Sequence, residues 1–357
     1  MNLKNRMIIE EYRAERPDFV RLGDLVSGML KQGVRSLGTE VLAVEHRVKE
    51  EQSLVGKLEL KGEKYRSLGD ITDILGARVI CFFSDDVDKV AAIIEKMFVI
   101  DWENSVDKRA QLDPDAFGYL SLHYICSLPE NEGYPKELCG KRFEIQIRST
   151  LQHTWAAINH DLGYKSEFGV PRNIVREFSR LAGLLEIADE RFVDIRDNLH
   201  RYGDEIRAQI AENRADNVQL DLVSLKEFAA HNKALRAFME EMAAICGAEI
   251  QDINPENYLQ QFAWLGKKTL GDLQEMLRED GPLALALARY TLERTDLDIL
   301  SSNAALRYLC RAELINRGYS EDKIAEFLAL TANNPKRALR QAKHLLDVYS
   351  KVKGGQA

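Results

Sequence analysis

The sequence predicts an α+β fold: a mixed β-sheet with flanking helices, followed by an all-helical C-terminal region. Three observations carry that prediction. Phe143-Glu144-Ile145-Gln146-Ile147-Arg148 alternates apolar and polar residues, so as a strand it buries Phe143, Ile145 and Ile147 and lines up Glu144, Gln146 and Arg148 opposite. Two further runs, Ala77 to Phe83 and Tyr119 to Cys126, also read as strands. From about Pro171 onward nearly every segment has helical periodicity.

Taken in order, residues 1 to about 50 read as helical, with Leu22, Leu25, Val26 and Leu30 at helix spacing. Arg47 to Arg66 is strongly charged, and by itself such a segment reads as a solvated face. Between the first two strands, Asp86 to Met97 reads as a helix with Val87, Val90, Ile93 and Ile94 inward. Gly133, Pro135 and Gly140 punctuate a loop before the third strand, Arg142 to Arg148. Thr150 to Leu162 returns to helix, with Leu151, Trp155, Ile158 and Leu162 as its apolar stripe.

Val175 to Asn198 predicts one long amphipathic helix, and Ser224 to Glu227 carries a capping-box signature opening another. Further helices are expected over Pro255–Leu265, Thr269–Leu277, Leu283–Leu292, Ala304–Asn316, Glu321–Leu330 and Pro335–Val352. The chain divides into an N-terminal helical segment, 1–29, a catalytic module, 30–205, and a helical regulatory or interaction domain, 206–357.

Composition is that of a soluble protein: 45% hydrophobic, 30% charged, net charge -8, which argues against nonspecific coating of nucleic acid. No apolar run approaches a membrane helix, and Met1 to Val20 is too polar for a signal peptide, so a cytoplasmic location is expected. The five cysteines are scattered and free of CxxC pairs, which suits reduced thiols; Cys81 and Cys126 read as core residues. His46 and His200 read as surface histidines, and Trp155 as a core residue.

The chemistry-bearing residues cluster around the strands. Asp73 and Gly76 sit at a strand entrance with Arg78 just inside; Tyr119, Ser121 and His123 share one face of the next strand. If the strands are neighbours, Asp73 and Glu144 can share a Mg²⁺, which favours one or two carboxylates plus phosphate oxygens. Basic side chains would neutralise phosphates and Tyr119 would offer a flat face to a base, the equipment of phosphoryl or pyrophosphoryl transfer.

In these motifs the chain resembles the Rel/Spo-type (p)ppGpp synthetases, specifically the small single-function kind. The matching residues are Arg47-Val-Lys49, Asp73 to Val79, Gly118 to His123, Glu144 to Ser149 and Trp155 to Lys165, in order and register. The resemblance implies a nucleotidyltransferase-like sheet. It implies Asp73 and Glu144 as catalytic and metal-binding residues, with Arg47, Lys49, Ser53, Lys57, Lys61 and Arg78 binding the donor ATP. Tyr119, Ser121, His123, Gln146, Arg148 and His153 would form the acceptor site. The implied reaction moves the β,γ-pyrophosphate of ATP to the ribose 3′-hydroxyl of GDP or GTP, with Mg²⁺ as cofactor.

Three positions depart from the family pattern. Ser149 replaces threonine, Leu120 a polar or basic residue, and Asn159 the glutamate common before His160, which leaves acceptor preference open. Only residues 1–46 precede the motifs, too few for the hydrolase domain of long Rel enzymes, and His160-Asp161 lies within the synthetase pattern.

The final helix carries Lys336, Arg337, Arg340, Lys343, His344, Lys351 and Lys353 against Asp347 alone, so RNA contact and a solvated face both remain open. Three functions follow: a guanine-nucleotide pyrophosphokinase; a toxin-type relative that modifies the tRNA 3′ end, gated by its C-terminal domain as in phage defence; and a non-catalytic nucleotide- or RNA-binding regulator. A protein regulator at the C-terminal domain and a homo-oligomer are the expected partners, with no membrane.

Overall fold

The computed structural model describes residues 3–107, 121–130, 133–164, 171–331 and 334–355. It divides into two compact units, Met1–Arg196 and Asp197–Ala357.

In the first unit a sheet runs in the order β1 (Val41–Val48), β2 (Leu75–Cys81), β6 (Phe143–Ser149), β5 (Leu122–Ser127), β3 (Val99–Ile100), with β4 (Val106–Asp107) also paired to β5. Only β2 and β6 run parallel; the remaining neighbours are antiparallel. The sheet is therefore mixed, as expected. Phe143, Ile145 and Ile147 are wholly buried in the central strand, each contributing about 2 kcal/mol of hydrophobic stabilisation. Helices α1 (Leu3–Ser36) and α3 (Asp86–Met97) cover that apolar face through Leu22, Val26, Leu30, Val87, Val90 and Ile94.

The expected helix over residues 1 to about 50 is corrected. Helix α1 stops at Ser36, Gly38 follows with φ +65° in the left-handed region, and Val41–Val48 is strand β1. Valines at 41, 44 and 48 favour a pleated edge over a helix. The boundary drawn between 29 and 30 falls inside α1, and the one at 205 falls inside α5 (Arg172–Ala211).

The charged segment after β1 forms α2 (Glu51–Lys61), anchored by Leu54 and Leu58. The stripe expected to face inward on α4 (Thr150–Tyr164) is covered only in part: Trp155 is half-buried and donates to the Phe178 carbonyl at 3.3 Å, while Ile158 and Leu162 are exposed. Arg196 on α5 forks onto Asp85 at 2.8 and 2.9 Å and lies over the Phe83 ring.

The second unit packs helices α6 (Leu222–His231), α7 (Lys233–Cys246), α8 (Asn257–Trp264), α9 (Leu270–Leu292), α10 (Ala304–Asn316), α11 (Glu321–Ala329) and α12 (Pro335–Lys353) around Phe228, Phe262, Leu273, Leu309 and Phe327. A short parallel pair, β7 (Glu249–Gln251) with β8 (Ile299–Ser301), joins them.

Two local expectations change here. Asp221, not Ser224, caps α6: its side chain accepts from the Ser224 amide, and Ser224 answers from the third helical position. The two helices expected over Thr269–Leu277 and Leu283–Leu292 are one, α9, which continues through Pro282. An internal proline costs about 3 kcal/mol, offset here by Met276, Ala284, Leu287 and Ala288 buried on both sides of it.

Candidate active site

The face of the sheet opposite α1 and α3 carries the polar row. Antiparallel pairing sets Arg47 opposite Gly76 and Glu45 opposite Arg78, while parallel pairing sets Gly76 beside Glu144 and Arg78 beside Gln146. His123 on β5 completes the line opposite Gln146. Residues scattered from 45 to 148 in the chain thus meet across four adjacent strands.

Glu144 is held on both carboxylate oxygens. His123 Nδ1 lies 2.7 Å from Oε1, and Gln146 Nε2 donates to Oε2 at 2.8 Å. Ser121 Oγ lies 2.6 Å from the far nitrogen of His123, so the imidazole is oriented from both ends. Gln146 passes the chain on: its Oε1 accepts from Arg148 Nη2 at 2.7 Å and from Arg78 Nε at 3.3 Å.

Asp73 sits just before β2 in a cleft that it shares with Arg47, Lys49, Ser53, Gly76, Arg78, Glu144 and Gln146. Its carboxylate takes Lys57 Nζ at 2.6 Å and Lys49 Nζ at 3.1 Å. Burial is the largest single influence and works against the Lys57 charge, but the hydrogen bond to Asp73, the Asp73 charge and Tyr65 together outweigh it and raise the pKa. A Cβ built on Gly76 meets nothing within 4 Å, so the glycine leaves the space before Asp73 and Glu144 open.

Burial and the neighbouring Arg47 charge lower Arg78. Burial, then Arg78, bring Arg148 down to about 10, still a cation at neutral pH. His153 on α4 is held below the ordinary imidazole range by burial and by Arg148 and Arg78, so it is neutral there. Arg148 Nε and His153 Nδ1 are buried with no hydrogen-bond partner among the described residues.

The structure therefore brings together Arg47, Lys49, Ser53, Lys57, Asp73, Arg78, Ser121, His123, Glu144, Gln146, Arg148 and His153. Lys61, exposed at the end of α2, does not line the cleft. Tyr119 and Lys165 lie outside the described residues. Glu45 and Glu50 escaped the sequence reading: Glu50 lines the cleft, and Glu45 faces Arg78 across the β1–β2 ladder. A strand reading of 41–48 would have put Glu45 and Arg47 on one face.

Among the described residues no cluster of three or more His, Cys, Asp or Glu offers a metal a protein-only cage. Two carboxylates on one cleft, with open space between, suit instead a hard divalent ion that completes its shell with phosphate oxygens.

A mixed sheet that lines up paired carboxylates and several cations on one open face has the chemistry to receive metal-bound phosphates. Residues 46–168 match the family described as a region found in RelA / SpoT proteins. GTP pyrophosphokinase YwaC of Bacillus subtilis (strain 168) is 30% identical over 162 residues, covering 43% of this chain and 74% of the relative. GTP pyrophosphokinase YjbM of the same organism is 29% identical over 159 residues, covering 43% and 71%. The crystal structure of small alarmone synthetase 2 from Bacillus subtilis aligns with a TM-score of 0.46 at 26% identity, covering 53% of this chain and 99% of that one. The chain belongs to the RelA/SpoT family.

Proposed function

We propose that this protein is an ATP-dependent pyrophosphokinase that transfers the β,γ-pyrophosphate of ATP to the ribose 3′-hydroxyl of GDP or GTP. The observation that carries this reading is the single cleft holding Asp73 and Glu144 among Lys49, Arg47 and Arg78, with Lys57 paired to Asp73. The names of the two relatives agree with it.

Asp73 and Glu144 would hold the Mg²⁺, whose contribution when bound is to neutralise and align the transferring phosphates. Lys49 and Lys57, drawn to Asp73 here, lie within reach of phosphate oxygens entering the same space. Arg47 and Arg78 flank the donor base by cation–π contact. The 3′-oxygen attacks the β-phosphorus, the bond from that phosphorus to the α-phosphate oxygen breaks, and AMP leaves. Glu144 takes the hydroxyl proton while His123 and Gln146 hold its carboxylate in place. Arg148 Nε then finds its acceptor, and His153 Nδ1 its hydrogen-bond partner, on the incoming nucleotide.

A second reading, the tRNA 3′ end as acceptor, is favoured by the exposed Lys336, Lys343, Lys351 and Lys353 on α12. The helical unit would then act as a regulatory or protein-binding domain. No described helix is long and apolar enough to cross a membrane. All five cysteines are free, which supports a reducing, cytoplasmic setting.

The test is an acceptor screen with γ-³²P-labelled ATP and Mg²⁺ over GMP, GDP, GTP, ADP, ATP and deacylated tRNA. Glu144→Gln and Asp73→Asn serve as blanks. Label on GDP or GTP supports the first reading and label on tRNA alone replaces it with the second. Wild-type turnover in either blank removes that residue from the mechanism.

A further inference from the structure

The helical unit holds its own cluster of unneutralised cations. Where α9, α10 and α12 meet, the cations Arg311, Arg337 and Arg340 surround a pocket of about 500 Å³ that His344 also lines. Leu287, Leu345, Val348 and Tyr308 give it an apolar floor, and no acidic side chain lines it. A larger groove in the same unit, about 880 Å³, mixes Arg207, Lys233 and Arg278 with Asp216 and Glu275 and so neutralises itself.

Arg311 makes the case. It is only partly exposed, and burial with the adjacent Arg307 charge lowers its pKa. Among the described residues no carboxylate pairs with it; the Tyr308 ring lies 5.6 Å from its guanidinium carbon, and Tyr258 and Cys310 also act on its charge. Arg307 approaches the same ring at 5.1 Å. Arg337 has no ion pair among the described residues, and Arg340 Nε donates only to the Lys336 carbonyl at 3.4 Å. Gathering like charges over an apolar floor is unfavourable until an anion joins them. A guanidinium fork is matched to phosphate, and aliphatic and aromatic surface suits a flat ring. The volume is that of a small-molecule site.

We propose that this pocket binds a nucleoside polyphosphate, its phosphates on Arg311, Arg337 and Arg340 and its base against the Leu287–Tyr308–Leu345 floor. The assignment stands on the helical unit alone and does not depend on which acceptor the first unit uses.

The test is equilibrium dialysis of the full chain, carrying Asp73→Asn to silence turnover, against labelled GTP, labelled ATP and inorganic tripolyphosphate. Arg337→Gln/Arg340→Gln is the informative variant, since both side chains are exposed and the fold does not need them; unchanged circular dichroism and melting check this. Arg311→Gln is the second variant. The expected result is a nucleotide-binding site in the helical unit that weakens about ten-fold or more in the double variant, weakens with added salt, and survives Lys57→Ala. Binding unaffected by the double variant overturns the proposal. Equal affinity for tripolyphosphate and nucleotide overturns the part played by the apolar floor. Displacement by a short single-stranded RNA but by no mononucleotide overturns it in favour of an RNA contact.

Discussion

His123 Nδ1 lies 2.7 Å from Glu144 Oε1, and this contact ties β5 to β6 across the candidate active site. Ser121 on the other ring nitrogen and Gln146 on the other carboxylate oxygen complete a line of side chains that leaves Glu144 little rotational freedom.

His123→Ala is therefore expected to act through position rather than through binding. The kcat for transfer should fall about ten- to a hundred-fold while KM for both nucleotides stays within about two-fold. His123→Asn should restore part of the loss. A KM effect larger than the kcat effect would make His123 a substrate contact instead.

Gly76→Val separates the space in the cleft from the stability of the sheet. A Cβ there meets no protein atom within 4 Å, and a β-branched residue suits a strand. Melting should be unchanged or higher, while KM for ATP should rise about ten-fold as the side chain occupies room needed by phosphates. Unchanged ATP kinetics would show that the nucleotide passes elsewhere.

Asp189 on α5 accepts from Ser149 Oγ at 2.5 Å, and burial pushes its carboxyl up to about 7. The unfolded carboxyl titrates near pH ~4, so the folded state binds the proton more tightly. Stability contributed by this group is full below about pH 4, declines as pH rises towards about 7, and is lost above that. Asp189→Asn should raise the melting temperature at about pH 8 and leave it unchanged at about pH 4. A constant difference at both pH values would assign the effect to packing.

Leu181, Leu184, Phe192 and Ile195 form an exposed apolar stripe on α5, at 50%, 63%, 48% and 53% exposure. A patch of that kind marks a contact surface, and we propose a homo-oligomer through it. Leu184→Glu/Phe192→Glu should lower the mass measured by light scattering to that of one chain, with circular dichroism unchanged. A wild-type chain that is already monomeric would rule it out.

Much of this was legible in the residues themselves. Period-two alternation made Glu144, Gln146 and Arg148 neighbours on one face of a strand, because side chains of a pleated strand must alternate. Helix α3 runs Asp86–Met97 and α10 runs Ala304–Asn316, as their apolar spacing dictates. Spacing failed where a distant partner decided the outcome. Residues 41–48 are a strand because the β2 edge offers them a ladder, and α9 survives Pro282 because a core grips it on both sides.

The same division holds for the candidate site. Sequence determined which chemistry the chain carries: two carboxylates, a histidine and a set of cations, at strands or their entrances except for Lys57 on α2. Tertiary structure alone decided that Asp73 meets Lys49 and Lys57, that Glu144 meets His123, and that Gln146 bridges Arg78 to Arg148. Local periodicity depends on backbone geometry and can be read along the chain. Strand order and register depend on which apolar faces bury together, and those contacts join residues 17 (Cys126 with Phe143) to 68 (Gly76 with Glu144) positions apart.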